Sequence, residues 1–458
     1  MTTLRSRVSG PVDLLDLHAA MPLRYPFLLQ SVAAHPQAGR FDVLFAFPQG
    51  RLEVGADRQL HADGLTAQSD DFFDALDAWV RRDAQPASPD PELPFVGGWF
   101  LFLAYEAGAL AEPSLRLPAS TSGLPLALAV RCPAALIYDR AEQVCHLIAE
   151  QDGGQLQAMH ADLQAAPGLP DLPVRAAATE VLEDAPQDFL NGVKAIQDYL
   201  RAGDTFQVNL SRAWRAWLED DVTPAELYRR LRLSNPAPFA GSLRWNGEAV
   251  LSSSPERLVQ IDADRVQTRP IAGTRPRLAD ATADLAQRAA LIGNLKERAE
   301  HVMLIDLERN DLGRVCEPGS VEVSELMSVE SYAHVHHIVS NVRGRLRQAV
   351  GPGQVLRAVF PGGTITGCPK LRSMEIIAEL EGEARGAYTG CMGYYSRDGR
   401  MDSNILIRSL HWKQDGAGAR VVLRAGAGIV VDSDAQRELA ETRAKARGLL
   451  LALGAKHV

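Results

Sequence analysis

The stretch FQVNLS at residues 206–211 decides how the second half of this 458-residue chain folds. Apolar side chains at 206, 208 and 210 alternate with polar ones at 207, 209 and 211, which is the pattern of a strand with one buried face. Before it, apolar residues at 189, 193, 196 and 200 have helical spacing, and Gly203 is a typical helix stop. The sequence predicts a helix over residues 189–201, then a strand whose polar face meets water or lines a cavity.

The regions around these two elements differ in character. Residues 151–187 are rich in Pro, Ala, Gln and Asp with little periodicity, and we interpret them as a connecting stretch. Residues 1–150 contain short β-prone runs separated by Pro and Gly. Residues 188–458 carry longer patterns, including helical ones at about 284–306 and 435–453.

Composition excludes several classes of function. The chain has 48 Lys plus Arg against 57 Asp plus Glu, so a net charge of -9 argues against a nucleic-acid partner. The longest uncharged apolar run, 95–105, is much shorter than the ~20 residues that span a bilayer, so no membrane partner is expected. The 5 cysteines are odd in number and have no two-residue spacing, which favours a reducing compartment, the cytoplasm.

Two glycine-rich stretches lack the complete nucleotide motifs. GGTITGCPK at 362–370 has Cys368 and Pro369 before the lysine, where a phosphate loop has Gly-Lys-Ser/Thr. GAG at 426–428 lacks the third glycine of a dinucleotide fingerprint, because Val431 stands there. Each stretch is either an ordinary tight turn or a turn whose backbone N–H groups hold a carboxylate.

Two Glu-x-x-Glu pairs each project from one face of a predicted helix: Glu297 with Glu300, and Glu438 with Glu441. Either pair alone is typical of a solvated helix face, and Glu441 has Lys445 four residues on as an ion-pair partner. Two such helices facing each other would instead present up to four carboxylates. Mg²⁺ prefers carboxylate and water oxygens together with an anionic substrate, so a magnesium site is the alternative.

Glu256 follows an apolar run, and a partly buried carboxyl group there would have the raised pKa of a general acid. Its neighbour Arg257 could equally make it a structural residue. Histidines at 334, 336 and 337 have apolar neighbours and complete no zinc set, so core or surface histidines are the usual explanation.

Seven motifs occur together in one order. They are QVNLSR at 207–212, SPERL at 254–258, TRPIAGTRPR at 268–277, EHVMLIDLERNDLGR at 300–314, HHIVS at 336–340, GGTITGCPK at 362–370 and GAGIVVDS at 426–433. This combination resembles the chorismate-utilising enzymes from about residue 185 to the end. Residues 1–150 are similar to the N-terminal region of the anthranilate synthase component I type, more loosely, and 188–458 to the chorismate-binding catalytic domain.

The resemblance implies an α+β fold: a large sandwich of mainly antiparallel sheets flanked by helices, with the catalytic cleft between two subdomains. Within the family the chain is most similar to aminodeoxychorismate synthase component I, which makes 4-amino-4-deoxychorismate for p-aminobenzoate and folate biosynthesis. The nearest rival is anthranilate synthase component I, or another enzyme that aminates C2, such as an aminodeoxyisochorismate synthase. Asn209 and TITGCPK favour aminodeoxychorismate synthase. Ala272 stands where aminodeoxychorismate synthases have a lysine, and it favours anthranilate synthase or another C2-aminating enzyme.

The resemblance also implies roles for single residues. Glu300 and Glu441 would ligate Mg²⁺, with Glu297 and Glu438 holding its water; Glu256 would be the general acid. Gln207 stands where related enzymes place a water-activating lysine, so ammonia is the expected nucleophile. The remaining implied site residues line the ring or bind the substrate: His337, Thr364, Gly273, Thr274, Tyr388, Arg408, Gly426, Ala427, Gly428 and Lys445.

Partners and regulation follow from the same resemblance. The substrates would be chorismate and ammonia, and ammonia would come from a glutamine amidotransferase subunit or from solution, because the chain has no Cys-His-Glu glutaminase set of its own. Gln30 in LLQS replaces the acidic residue of the Leu-Leu-Glu-Ser at which anthranilate synthases bind tryptophan, so inhibition by tryptophan is expected to be weak or absent. A catalytically silent binding homologue is the alternative of a different class.

Overall fold

A computed structural model describes residues 3–33, 39–83, 92–150, 153–173, 175–278, 280–331, 335–416 and 418–455. Within these ranges the chain forms two large sheets in which every paired strand is antiparallel, together with eleven α-helices. The predicted two-sheet α+β sandwich is therefore confirmed. No helix in the described part of the chain is long and apolar enough to cross a membrane.

The first sheet has twelve strands and contains the stretch FQVNLS. In spatial order its strands are β1 (Thr3–Ser9), β9 (Val144–Glu150), β8 (Ala134–Asp139), β3 (Phe41–Ala46), β2 (Phe27–Gln30), β12 (Phe239–Trp245), β13 (Glu248–Ser254), β22 (Ser409–Asp415), β23 (Gly418–Ile429), β11 (Gln207–Leu218) and β10 (Ala178–Glu183), with β19 (Gly367–Cys368) also paired to β11. The predicted strand is thus the start of the longer β11.

The second sheet has eleven strands. In spatial order they are β16 (Ile271–Pro276), β18 (Val335–Arg345), β15 (Arg265–Thr268), β14 (Arg257–Asp262), β21 (Met401–Ile405), β20 (Cys391–Ser396), β6 (Gly98–Leu103), β7 (Ala127–Cys132), β4 (Gln49–Val54) and β5 (Leu60–Asp63), with β17 (Glu322–Ser331) also paired to β18. The apolar run 95–105 supplies the central strand β6, which explains its lack of polar alternation.

Both sheets combine strands from distant parts of the sequence. β2 pairs with β12 in the first sheet, and β6 pairs with β20 in the second. Apolar side chains from the two sheets meet in one buried cluster, where the rings of Phe27 and Phe100 stack with centroids 4.0 Å apart. The N-terminal and catalytic regions therefore complete each other's sheets, and the proposed domain boundaries stay a division of the sequence.

The helices pack around this sandwich. They are α1 (Leu14–Ala20), α2 (Phe72–Asp83), α3 (Gly108–Ala111), α4 (Gly153–Ala165), α5 (Pro186–Ala202), α6 (Pro224–Ser234), α7 (Ala281–Gly293), α8 (Leu295–Gly313), α9 (Pro352–Val359), α10 (Lys370–Glu381) and α11 (Ala435–Leu453). The connecting stretch 151–187 itself contributes α4 and β10. As predicted, α5 ends at Gly203, which adopts the left-handed conformation with φ 84°.

Two local predictions need correction. The single helix expected over 284–306 is wrong, because the chain leaves helical geometry at Asn294, whose side chain accepts a hydrogen bond from the backbone N–H of Glu297 at 3.3 Å. The break separates α7 from α8 and places Glu297 in the first turn of α8. The stretch 426–428 is not a turn: it lies inside β23, paired with β11.

Candidate active site

The polar face of β11 faces two glycines of β23. A Cβ atom at Gly428 would lie 2.8 Å from Nε2 of Gln207, and one at Gly426 would lie 2.6 Å from Oδ1 of Asn209. Any larger residue would displace these amides. The predicted polar face therefore lies against the glycine stretch rather than in open water, and both amide side chains are buried.

Glu256 lies between β13 and β14, where it is 5% exposed. The Thr364 hydroxyl, in the 3-10 turn Gly363–Ile365, donates a hydrogen bond to its Oε1 at 2.8 Å. Burial raises the pKa of Glu256 to about 8; the charge of Glu308 acts in the same direction, and Thr364 opposes it. At neutral pH this carboxyl group is mostly protonated, so it can donate a proton.

Arg257 does not pair with Glu256. Its guanidinium binds both carboxylate oxygens of Asp402, at 2.8 and 2.9 Å. The ion pair that could have made Glu256 a purely structural residue is therefore made elsewhere.

The second sheet supplies the opposite side of the site. The backbone carbonyl of Gly273 in β16 lies 3.2 Å from Nδ1 of His337 in β18. Burial lowers the pKa of His337 to about 4, so its imidazole is neutral at physiological pH. Gly273 has φ 64°, and a Cβ atom there would lie 2.6 Å from Oε2 of Glu297. This glycine allows β16 and α8 to approach each other closely.

Two cationic groups, Lys445 and Arg408, act on residues of both sides. Lys445 on α11 donates to the carbonyl of Gly426 at 3.0 Å and pairs with Glu441 at 2.7 Å. Arg408 has φ 53°, a left-handed conformation that is uncommon outside glycine and often found at functional sites. Burial lowers the pKa of Arg408, whereas Tyr388 and Glu441 raise it.

Electrostatic effects show that the predicted residues share one region. The charges of Arg408 and Lys445 both act on His337, and the charge of Lys445 also acts on Glu256. Tyr388 is buried, and its hydroxyl lies 3.0 Å from the Cβ position of Gly426. Residues from both sheets, from α8 and from α11 therefore converge.

The four predicted metal carboxylates come from α8 and α11. Oε2 of Glu297 is buried and has no hydrogen-bond partner among the described residues, while its Oε1 pairs with Arg275 at 2.6 Å. Across the described residues, no three of the four glutamates bring oxygen atoms within 4.8 Å of one another. Among the described residues, these four glutamates therefore form no compact ligand set.

Ala427 and Ala272 contribute little through their side chains. Ala427 is a residue of β23 whose side chain is fully buried in an apolar cluster, so only its backbone could contact a ligand. Ala272 pairs with Ile338 in the sheet and has no nucleophilic group. Thr274 pairs with His337 through the strand register, and its side chain lies outside the described part of the structure.

Two polar residues of the site received no role from the sequence. Oδ1 of Asn209 is buried, and no described residue donates a hydrogen bond to it. Glu308 on α8 is 7% exposed and lies close enough to raise the pKa of Glu256. The polar alternation of β11 could have identified Asn209, but no local signal relates Glu308 to Glu256, 52 residues earlier.

Lys370 of GGTITGCPK binds a carboxylate of the protein itself. Its Nζ lies 2.5 Å from Oδ2 of Asp311 on α8 and 3.2 Å from the carbonyl of Val359. This stretch thus does bind a carboxylate, but the carboxylate belongs to Asp311 of the protein, and the lysine side chain rather than the backbone binds it.

A separate cavity of about 800 Å³ is lined by Gln30, Arg257 and Asp402, among others. None of the residues predicted for the active site lines it. The amide of Gln30 donates to Asp42 at 3.0 Å, and its carbonyl accepts from Arg232 at 3.2 Å.

A protonated carboxyl group on one side and fixed cations on the other suit a small anionic substrate that gains a proton as it reacts. The fold thus defines a protein of two antiparallel sheets in which polar groups from both sheets converge.

The chain belongs to the family of chorismate binding enzymes, whose model matches residues 26–451. It is 38% identical to aminodeoxychorismate synthase component 1 of Salmonella typhimurium over 430 residues, 93% of either chain. It is 39% identical to anthranilate synthase component 1 of Synechocystis sp. over 471 residues, 94% of this chain and 91% of that relative. The predicted family is confirmed, and the two kinds of relative are equally similar.

A solved structure supports the same assignment. Anthranilate synthase component I from Streptococcus pneumoniae superposes with a TM-score of 0.79 at 32% identity, covering 91% of this chain and 93% of the other. The protein is therefore a chorismate-utilising enzyme of this fold.

Proposed function

We propose that the protein is the chorismate-aminating component I of an aminodeoxychorismate synthase, which converts chorismate and ammonia to 4-amino-4-deoxychorismate for p-aminobenzoate and folate synthesis. The observation that carries an acid-assisted reaction is the buried Glu256, whose pKa of about 8 keeps it protonated beside Thr364. Hydroxide is a poor leaving group, so departure of the C4 hydroxyl requires a proton donor.

Glu256 donates its proton to the C4 hydroxyl, which leaves as water. Arg408, Tyr388 and Lys445 hold the enolpyruvyl carboxylate of chorismate, with the guanidinium of Arg408 suited to two parallel hydrogen bonds. The imidazole of His337 lies beside the ring of the substrate. Because its pKa is about 4, it is uncharged there and too weak a base to remove a proton from the substrate.

Ammonia is the nucleophile that suits the polar face of β11. Gln207 cannot act as a base toward water, and ammonia needs no base to attack. Oδ1 of Asn209 is a buried acceptor without a partner, which suits a small donor such as ammonia. A glutamine amidotransferase subunit is the proposed source of this ammonia, since both relatives are named as component 1 of a synthase.

Mg²⁺ is the proposed cofactor. The buried Oε2 of Glu297, without a hydrogen-bond partner, suits a cation or its bound water, and Glu300, Glu438 and Glu441 are the other residues that would hold the ion. When bound, Mg²⁺ would neutralise the ring carboxylate of the substrate. Its charge would also offset the repulsion between four carboxylates and a dianion.

Ala272 favours a second candidate, anthranilate synthase component I or another C2-aminating enzyme. A lysine at this position would add to C2 and be displaced as ammonia enters C4, and an alanine cannot form that bond. Amination at C4 therefore requires that ammonia or another nucleophile first adds at C2 as the C4 hydroxyl leaves, and is then displaced as ammonia enters at C4. Amination at C2 requires only the first of these two steps, with ammonia as the nucleophile.

Product identification tests the proposal. Purified protein is incubated with chorismate, ammonium and Mg²⁺, and the products are separated with and without aminodeoxychorismate lyase. We expect p-aminobenzoate only when the lyase is present, and loss of turnover with EDTA. Anthranilate, or aminodeoxyisochorismate, would support the second candidate. An Ala272→Lys variant that gains C4 product would show that this position controls the outcome.

No consumption of chorismate under any of these conditions would favour the catalytically silent homologue. Glu256 and the four site glutamates argue against that alternative, because a protein that only binds has no need of a buried acid.

A further inference from the structure

A second buried carboxyl group, Glu308, lies close enough for its charge to act on Glu256. It is on α8, and a Cβ atom at Gly363 would come 3.2 Å from its Oε1. The next residue of that turn, Thr364, donates to Glu256 at 2.8 Å. Adjacent residues of one short turn thus contact the two carboxyl groups.

The ion pair of α8 with Lys370 belongs to Asp311 rather than to Glu308. Asp311, three residues further along α8, is 2% exposed and pairs with Lys370 at 2.5 Å. No ion pair joins Glu308 itself to a cation in the described part of the chain. Two cationic charges act on this pair of carboxyl groups: that of Lys370 lowers the pKa of Glu308, and that of Lys445 on α11 lowers the pKa of Glu256.

Burial raises the pKa of Glu308 to about 7, and the charge of Asp311 acts in the same direction, against Lys370. Glu256 and Glu308 are therefore two buried acids that titrate in the same pH range. Two carboxyl groups close together in a low-dielectric site do not both ionise easily, so a charge on one favours the proton on the other.

We propose that Glu308 is a positioning residue for Glu256: its buried carboxyl group, held against the same turn, favours the protonated form of the catalytic acid. The proposal rests on the role of Glu256 in the proposed function. Its effect is greatest above neutral pH, where Glu308 is ionised and the proton on Glu256 would otherwise be lost.

The test is the pH profile of kcat/KM for chorismate in the variant Glu308→Gln. Activity requires protonated Glu256, so it falls as pH rises through the pKa of that residue. Without the charge of Glu308, this pKa falls, and we expect the basic limb to move by about one pH unit toward acid. Glu308→Asp keeps the charge and should restore the limb. A Glu308→Gln profile whose basic limb coincides with that of the wild type would overturn the proposal.

Glu106 offers a matched control. It is also a buried glutamate whose pKa burial raises to about 7, but its carboxylate accepts hydrogen bonds from the backbone of Arg385 and Gly386. Glu106→Gln should leave the basic limb in place. A shift as large as that of Glu308→Gln would mean that the effect is general destabilisation, and it would overturn the proposal.

A measurement without substrate covers the case in which Glu308→Gln does not fold. Coupling between two sites is reciprocal, so Glu256→Gln should lower the pKa of Glu308. Infrared difference spectra follow the protonated carboxyl band against pH in the wild type and in this variant. In Glu256→Gln, the residual band is the part of the protonated carboxyl band that remains without Glu256. It should disappear at a lower pH than the carboxyl band of the wild type. A residual band that titrates at the wild-type pH would contradict the coupling, whether or not the wild type turns over chorismate.

Discussion

At the scale of single residues, burial determines the chemistry of Glu256. The same side chain at the surface would be ionised at neutral pH and useless as an acid. Here the strands around it exclude water, and Arg257, the cation next to it in sequence, is engaged with Asp402. Its carboxyl group accepts a hydrogen bond from the Thr364 hydroxyl, a neutral donor.

Replacing this acid should stop the reaction while leaving binding largely intact. We expect Glu256→Gln to lower kcat by about 10²- to 10⁴-fold, because glutamine keeps the shape but has no proton to donate. In the wild type, kcat/KM should fall as pH rises through about 8, the pKa of Glu256. Steady-state kinetics and chorismate binding by calorimetry measure both effects. A fully active Glu256→Gln variant would remove this residue from the mechanism.

At the scale of elements, the close contact between β16 and α8 aligns the two sides of the site. The interruption of the helix at Asn294 makes α8 begin at Leu295, so that Glu297 lies in its first turn, close to Gly273. The left-handed φ of 64° at Gly273 makes the bulge that brings β16 there. A small change in this strand is therefore expected to move a proposed metal carboxylate.

Gly273→Ala should lower turnover by about 10- to 100-fold and raise the Mg²⁺ concentration needed, because the new methyl group displaces Glu297. Left-handed backbone strain should also cost about 1 kcal/mol of unfolding free energy. Gly203→Ala is the control: Gly203 has φ 84°, but a Cβ atom there meets nothing within 4 Å. In a thermal melt, the Gly203→Ala variant should lose about as much stability as Gly273→Ala, but it should keep its activity. Equal losses of activity in the two variants would point to backbone strain alone.

At the scale of the whole molecule, strands from the first 150 residues are built into both sheets beside strands from the catalytic region. The cavity of about 800 Å³ is lined from both parts, by Gln30 of β2 and by Asp402 of β21, among others. Gln30 is 3% exposed and already engaged by Asp42 and Arg232. Its amide brings no negative charge to bind an ammonium group.

Tryptophan should therefore inhibit this enzyme weakly or not at all. Titration of tryptophan into the chorismate assay measures this directly, and strong inhibition of the wild type would contradict the prediction. Gln30→Glu restores the acidic residue of the Leu-Leu-Glu-Ser pattern. If the charge at this position is what is missing, this variant should become more sensitive to tryptophan than the wild type.

Much of this architecture was predictable from local patterns. Alternation in β11, the stop at Gly203 and the limits of α11 follow from hydrophobic period and glycine placement, which act over a few residues. The helix predicted over 284–306 failed because Asn294 caps α8 with its side chain, a contact that apolar spacing does not report. The glycines of 426–428 indicated a turn, yet pairing with β11 holds them in a strand.

The sequence by itself determined the family, the two-sheet class of fold and the candidate site residues, because these depend on residue types in a fixed order. Only the tertiary structure decided which groups meet. It brings Asn209 close to Gly426 and Glu297 close to Gly273. It also brings Glu308 near enough for its charge to raise the pKa of Glu256. The physical reason is that a pKa or a close backbone contact depends on burial and on neighbours distant in sequence, and those neighbours are brought together only by folding.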